Sequence, residues 1–269
     1  MRRAQLTLTF ALAAFATLGS CARNPVTHER QLALISQEEE VRLGKQAAQE
    51  IDQQVGLYPD PKLQQYVQSV GMKLAKTTER PNLPWSFQVA NDASVNAFSL
   101  PGGPVFVTRG LLTHMSSEAE LAGVLGHEIA HITARHAVSR ISEQALAQLG
   151  LGIGGIFSPV IRKYGQLAGL GMQLIFLKYS RDDETQADGL GFKYMTSHGY
   201  DPRQMTSLFQ TLDLVGQSQR EGRLPEWLET HPDPGNRVKA NEQRVAGLKG
   251  LGSQPRYSPT SRAIRPDQS

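Results

Sequence analysis

Two histidines and a glutamate stand together in His127-Glu128-Ile129-Ala130-His131, and their types and spacing point to hydrolysis at a bound metal. Four residues apart on a helix, the two imidazoles lie about 40° apart around the axis and one turn along it, so both reach one ion. Neutral imidazole suits Zn²⁺, and two nitrogens with one carboxylate leave a fourth position for water. Glu128 is placed to take a proton from that water as it attacks a carbonyl. A five-residue pattern also arises by accident, and a lone histidine on an apolar face is more often a core residue than a ligand. The surroundings must decide.

They favour a site. Ser117 with Glu120 three residues later is a capping-box pattern, which starts a helix at Glu118. Leu121, Val124, Leu125, Ile129 and Ile132 then recur at helical spacing and carry both histidines into the helix interior. Ala122, Gly123, Gly126, Ala130 and Ala134 keep the remaining surface small. Gly123 and Gly126 cost helix stability relative to alanine, which implies that something packs closely there, either another element or a metal and its substrate.

A third protein ligand is needed. The metzincin pattern would place a glycine at 134 and a histidine at 137, and the chain has Ala134 and Ala137, which excludes it. His136 is one residue out of register and would point about 140° away from His131 on a continuous helix, so it reads as a structural or supporting group. Downstream, Glu184 and Asp188 are four apart and share a helix face. Glu184 can then bind the metal while Asp188 accepts the other N–H of a ligand imidazole. An acidic cluster such as 182–184 is otherwise an ordinary solvated helix start.

At this point the chain resembles the gluzincin zinc metallopeptidase family that includes the CAAX prenyl endopeptidases, HtpX, and the bacterial envelope proteins BepA and LoiP. Four ordered segments carry the resemblance: Ser94 to Gly103 with Val105 to Leu112, the His127–His131 motif with Ala134-Arg135-His136, Tyr179-Ser180-Arg181 leading into Glu184 and Asp188, and His231-Pro232 with Arg237. It implies that His127, His131 and Glu184 hold one Zn²⁺ and that Glu128 is the general base. It implies that Asp188 orients a ligand histidine. His231 would stabilise the oxyanion or occupy the open metal position as a gate, and Arg237 would anchor that loop or pair with a carboxylate near the metal. Locally, Asp233-Pro234 reads as an N-cap with proline at the first helical position, so His231 also fits the loop before a helix.

Asn96-Ala97-Phe98 has a mechanical reading of its own. Gluzincins bind substrate as an added antiparallel strand on a sheet edge, through main-chain hydrogen bonds, which implies broad specificity. The same residues also read as a plain hairpin strand with a Pro-Gly-Gly turn.

The first twenty residues read as a signal: Arg2 and Arg3, then an apolar run from Leu6 to Leu18. Leu18-Gly19-Ser20-Cys21 resembles a lipobox, with Cys21 acylated. Cys21 is the only cysteine, so no intramolecular disulfide forms. Ala22 stands where an aspartate would retain the protein in the inner membrane, which points to the periplasmic face of the outer membrane. The net charge of +3 includes Arg2 and Arg3, and their removal leaves +1, which gives no case for nucleic-acid binding.

The expected fold is α+β: a mostly helical domain over residues 36–250 with a small antiparallel sheet beside the metal-binding helix. Residues 21–35 read as a polar tether and 251–269 as a disordered tail. Ser36 with Glu39 caps a first helix to Val55, Asp60-Pro61 starts a second to Lys76, and Trp85 to Val89 alternates as a strand. Asp201-Pro202 and Asp233-Pro234 open two more helices, the last ending near Leu248. The apolar, glycine-rich stretch 149–177 is broken by Pro159, Arg162 and Lys163 and is too short to span a membrane. It reads as a helical hairpin beside or over the cleft, or as a membrane or partner contact.

These readings converge on a lipid-anchored zinc endopeptidase acting on misfolded or stalled envelope proteins. The alternative is a chaperone or assembly factor that holds unfolded strands in the same groove, and the intact Glu128 favours the enzyme. A purely structural zinc module fits poorly, because such sites close all four positions with protein ligands.

Overall fold

The computed structural model describes residues 21–148, 170–218, 226–231 and 234–248. The expected signal segment 1–20, the tail 251–269, most of the 149–177 stretch and Asp233 lie outside the described residues.

Local sequence rules set the helix starts. Helix α1 (Gln37–Gln54) follows Ser36, with both halves of the Ser36–Glu39 capping box formed. Helix α2 (Pro61–Ala75) follows Asp60, whose side chain accepts from the Lys62 and Leu63 amides. Both agree with the sequence to within a residue or two. Strands β3 (Ser86–Ala90), β4 (Ala97–Ser99) and β5 (Pro104–Thr108) form one sheet in the order β3-β5-β4, after the small hairpin of β1 (Cys21–Arg23) and β2 (Arg30–Leu32). The β3–β5 pair is parallel and β4–β5 antiparallel, so the sheet is mixed and not the antiparallel one expected: β4 pairs on the far side of β5, and β5 returns beside β3 in the same direction. The turn between β4 and β5 passes through Gly102 and Gly103 at φ 79° and 138°, conformations that glycine adopts without strain. β4 is thus an edge strand.

A short α3 (Arg109–Leu112) leads to α4 (Glu118–Thr133), the central helix, and α5 (His136–Gln148) follows. Leu121, Leu125 and Ile129 of α4 are fully buried in a core shared with Val67 and Leu74 of α2 and Phe87 and Val89 of β3. α6 (Leu170–Ile175), α7 (Arg181–Ser197), α8 (Arg203–Ser218), α9 (Glu226–Thr230) and α10 (Pro234–Gly247) complete the domain. The result is the mostly helical α+β architecture expected. Among the described residues no helix is long and apolar enough to cross a membrane.

A further expectation changes at the start of the domain. The stretch 21–35 does not hang free: β1 pairs with β2 and Ala33, Leu34 and Ile35 are buried. Asn24 Nδ2 donates to the Ala134 carbonyl at the end of α4 (3.3 Å). Composition marks these residues as polar, and pairing with a distant helix end is invisible to composition. Of the 149–177 stretch, α6 packs on α1, where Gly171 lies so close that an added Cβ would stand 2.9 Å from the Ala47 carbonyl oxygen. Leu174 and Ile175 join the apolar cluster that contains Phe98 and Leu100.

Candidate metal centre

The capping box of α4 forms as the sequence implies, and all residues from Ala119 to Thr133 are buried. Helix α7 begins with a third capping box, Ser180 with Asp183, and lies against α4. The closeness has a cause at glycines. A Cβ on Gly126 would stand 3.2 Å from the Gly191 carbonyl oxygen, and one on Gly191 would stand 3.0 Å from the His127 nitrogen. Gly126 therefore bears out the expected close approach, whereas a Cβ on Gly123 would meet Met205 at an ordinary 3.5 Å.

This packing brings Glu184 to the histidines. His127 Nε2 and His131 Nε2 are 3.0 Å apart, and the two Glu184 oxygens stand 3.5 Å from one and the other. His231, just past α9, adds a fourth donor, and one ligand atom from each of the four residues lies within 4.8 Å of all the others. Tetrahedral ligands at ~2.0–2.1 Å from zinc are about 3.3 Å apart, so the spacing of His127, His131 and Glu184 suits such an ion. Among the described residues, both Glu184 oxygens and His231 Nε2 are buried without a hydrogen-bond partner, which is costly unless a cation takes them. The donor set fits a metal.

Burial sets the protonation states. It holds His127 down to about 4, with the nearby Arg237 charge acting in the same direction, and holds His131 and His231 well below the ordinary imidazole range. Neutral imidazole is the ligating form. Burial also raises Glu184 well above the carboxylate range, against the pull of Arg237, as expected for an anion short of positive charge. Glu128 is raised by burial to about 7. Its Oε2 accepts from Ser99 Oγ (2.9 Å) and its Oε1 from Trp227 Nε1 (3.3 Å), and His231 Nε2 is 3.6 Å from Oε1.

Asp188, one turn beyond Glu184, places Oδ1 3.0 Å from His127 Nδ1. Arg237 grips Asp188 with two nitrogens, at 2.8 and 2.7 Å, and approaches Glu184 at 3.3 Å. Its guanidinium charge holds Asp188 below the carboxylate range against burial. Arg237 Nη2 is also 3.2 Å from His127 Nδ1, but an imidazole that keeps Nε2 free carries its proton on Nδ1 and gives it to the carboxylate. The guanidinium also lies over both rings of the stacked Phe209–Trp227 pair, 4.4 and 4.6 Å from their centroids.

Every residue singled out around the metal is therefore brought together, and Ala97 and Phe98 lie on β4, with Asn96 immediately before it. A model of peptidase family M48 matches residues 61–245, more than half of the chain. The chain belongs to peptidase family M48. That bears out the resemblance drawn from its motifs. A beta-barrel assembly-enhancing protease of Yersinia pestis is 30% identical over 226 residues, covering 81% of this chain and 46% of the relative. A mitochondrial metalloendopeptidase OMA1 of Schizosaccharomyces pombe is 30% identical over 232 residues, 81% of this chain and 65% of the relative. OMA1 of Arabidopsis thaliana is 35% identical over 168 residues, 61% and 32%. The chain spans about half the length of the beta-barrel assembly-enhancing proteases it matches.

Sequence reasoning missed three contributors to this M48 site. Trp227 stacks on His231 (centroids 4.9 Å, 18°), bonds Glu128 through its indole, and donates its main-chain N–H to the Val95 carbonyl. The only signal was its position four before His231, one helical turn, which stacks the two side chains where α9 ends. Tyr179 stacks on His131 at 3.9 Å, and Ser99 reaches Glu128 from the edge strand. His136, read as a structural or supporting group, differs only in its direction. It was expected to point away, and instead sits 2.9 Å from His131.

Proposed function

We propose that this chain is a zinc-dependent endopeptidase that hydrolyses peptide bonds in misfolded or stalled proteins of the bacterial cell envelope. The observation that carries the reading is the buried convergence of His127, His131, Glu184 and His231 on one point, with the Glu128 carboxylate beside it. His127, His131 and Glu184 would hold the ion, and Zn²⁺ suits that nitrogen–oxygen donor set. Bound there, the metal supplies a Lewis acid that polarises a carbonyl and acidifies water.

The chain's own groups do the rest. Glu128, its two oxygens held by Ser99 and Trp227, serves as a base for water and then an acid for the departing amine. His231 faces it and is placed to donate to a developing oxyanion once it swings from its resting position. Asp188 keeps the His127 proton on Nδ1, and Arg237 holds Asp188 in place. Substrate would add to β4. Asn96 and Leu100 give their main-chain bonds to β5, so alternation turns those of Ala97 and Ser99 to the outer edge. Asn96, Ala97 and Phe98 would thus frame an extended peptide without reading its sequence. Trp227 already occupies the head of that edge at Val95, which supports a closed resting state.

Acylation of Cys21 would attach the domain to the periplasmic face of the outer membrane. The beta-barrel assembly-enhancing proteases among the relatives support an envelope substrate. The test is cleavage of unfolded casein by the full chain, with chelator and with zinc restored. Cleavage abolished by chelator and restored by zinc is expected. Capture of casein without cleavage would instead favour a chaperone.

A further inference from the structure

His136 lies outside the pattern that defines the metal ligands, and on a continuous α4 it would project about 140° away from His131. The helix is not continuous. Arg135 adopts φ 62°, a left-handed conformation uncommon for a residue with a side chain. Long-range bonds hold it there: Nε donates to Glu40 Oε2 (2.9 Å) and Nη2 to the Ile35 carbonyl (2.8 Å). Arg80 grips the other Glu40 oxygen (2.8 Å) and donates to the Ile132 carbonyl at the end of α4 (2.9 Å). This clamp turns the chain back on itself. His136 opens α5 with Nδ1 2.9 Å from His131 Nδ1, and both rings are buried.

The hydrogen bookkeeping then has one solution compatible with ligation. If His131 Nε2 keeps its lone pair toward His127 Nε2 and Glu184, its proton is on Nδ1. That N–H must donate to His136 Nδ1, so His136 carries its own proton on Nε2. His136 Nε2 is 2.7 Å from Gln186 Oε1, which accepts it, with Asp183 Oδ1 further off at 3.8 Å. Reversing the chain would put a proton on His131 Nε2 and remove that imidazole as a ligand.

We propose that His136 is a positioning residue of the metal centre, fixing the tautomer and orientation of His131 by accepting its Nδ1–H and handing the constraint to Gln186 on α7. This rests on the metal-centre reading above. It makes α7 the source of one ligand and of both imidazole supports: Glu184 directly, Asp188 for His127, and Gln186 through His136 for His131. His127 is braced by a carboxylate and His131 by a neutral relay.

The test is zinc affinity of the full chain by competition with a chromogenic chelator, alongside the visible spectrum of the Co²⁺-substituted protein. His136→Ala removes the acceptor and should weaken zinc binding by roughly 10–100-fold and alter the cobalt spectrum. His136→Asn puts an amide oxygen near the Nδ1 position and should restore affinity to within a few-fold of wild type. Gln186→Leu, on a different helix, should weaken binding several-fold and serves if His136→Ala does not fold. Wild-type affinity in His136→Ala and Gln186→Leu overturns the positioning role alone. So does a folded His136→Asn as weak as His136→Ala. A wild-type chain that binds no divalent metal overturns the metal centre itself, and this role with it.

Discussion

Asp188 Oδ1 stands 3.0 Å from His127 Nδ1, so a residue of α7 braces an imidazole of α4. The two are far apart in sequence, and the Gly126–Gly191 contact lets their helices approach closely enough to meet. Asp188→Ala should lower zinc affinity by roughly 10–100-fold. It also leaves the buried Arg237 with Glu184 alone, 3.3 Å away, at a cost of up to about 3–5 kcal/mol. Chelator competition and chemical unfolding separate the two effects. Adding Arg237→Met should recover stability but not affinity.

Glu128→Gln should retain zinc, because His127, His131 and Glu184 are untouched, and lose activity by ~10²–10⁴-fold, the usual worth of a positioned base. Metal analysis with a casein assay checks both halves. Near-normal cleavage would remove Glu128 from the mechanism.

Gly191→Ala tests the geometry without touching a polar group. Its Cβ would stand 3.0 Å from the His127 nitrogen and 3.2 Å from the Gly126 carbonyl carbon, both backbone atoms that cannot rotate away. Overpacking of this kind costs about 1–3 kcal/mol. The parting of α4 and α7 also draws Glu184 from the histidines, so melting temperature and zinc affinity should fall together. A variant as stable and as tightly metal-bound as wild type would show that the contact does not set the site.

His231→Ala should lower turnover by roughly 10²–10³-fold, as loss of one oxyanion donor does, and should speed removal of the metal by chelator, since the fourth donor is gone. Stopped-flow chelation and peptide cleavage read the two roles independently. Unchanged values in both would leave His231 a packing partner of Trp227.

The sequence by itself determined what depends on neighbours within a turn or two. Ser36, Asp60 and Ser117 start their helices where the pattern places them, because a cap is a bond between residues two or three apart. The HExxH spacing and the Glu184–Asp188 spacing each put their groups on one helix face for the same reason. The tertiary structure decided which faces meet. His136 turns back because Arg135 is clamped by Glu40, 95 residues away, and helical periodicity cannot anticipate a left-handed residue held from outside the helix. Trp227 reaches Glu128 across 99 residues, and residues 21–35 fold onto the end of α4 rather than trailing as a tether. Such contacts are won by shape and buried hydrogen bonding between distant segments, and no local pattern of residue types encodes them.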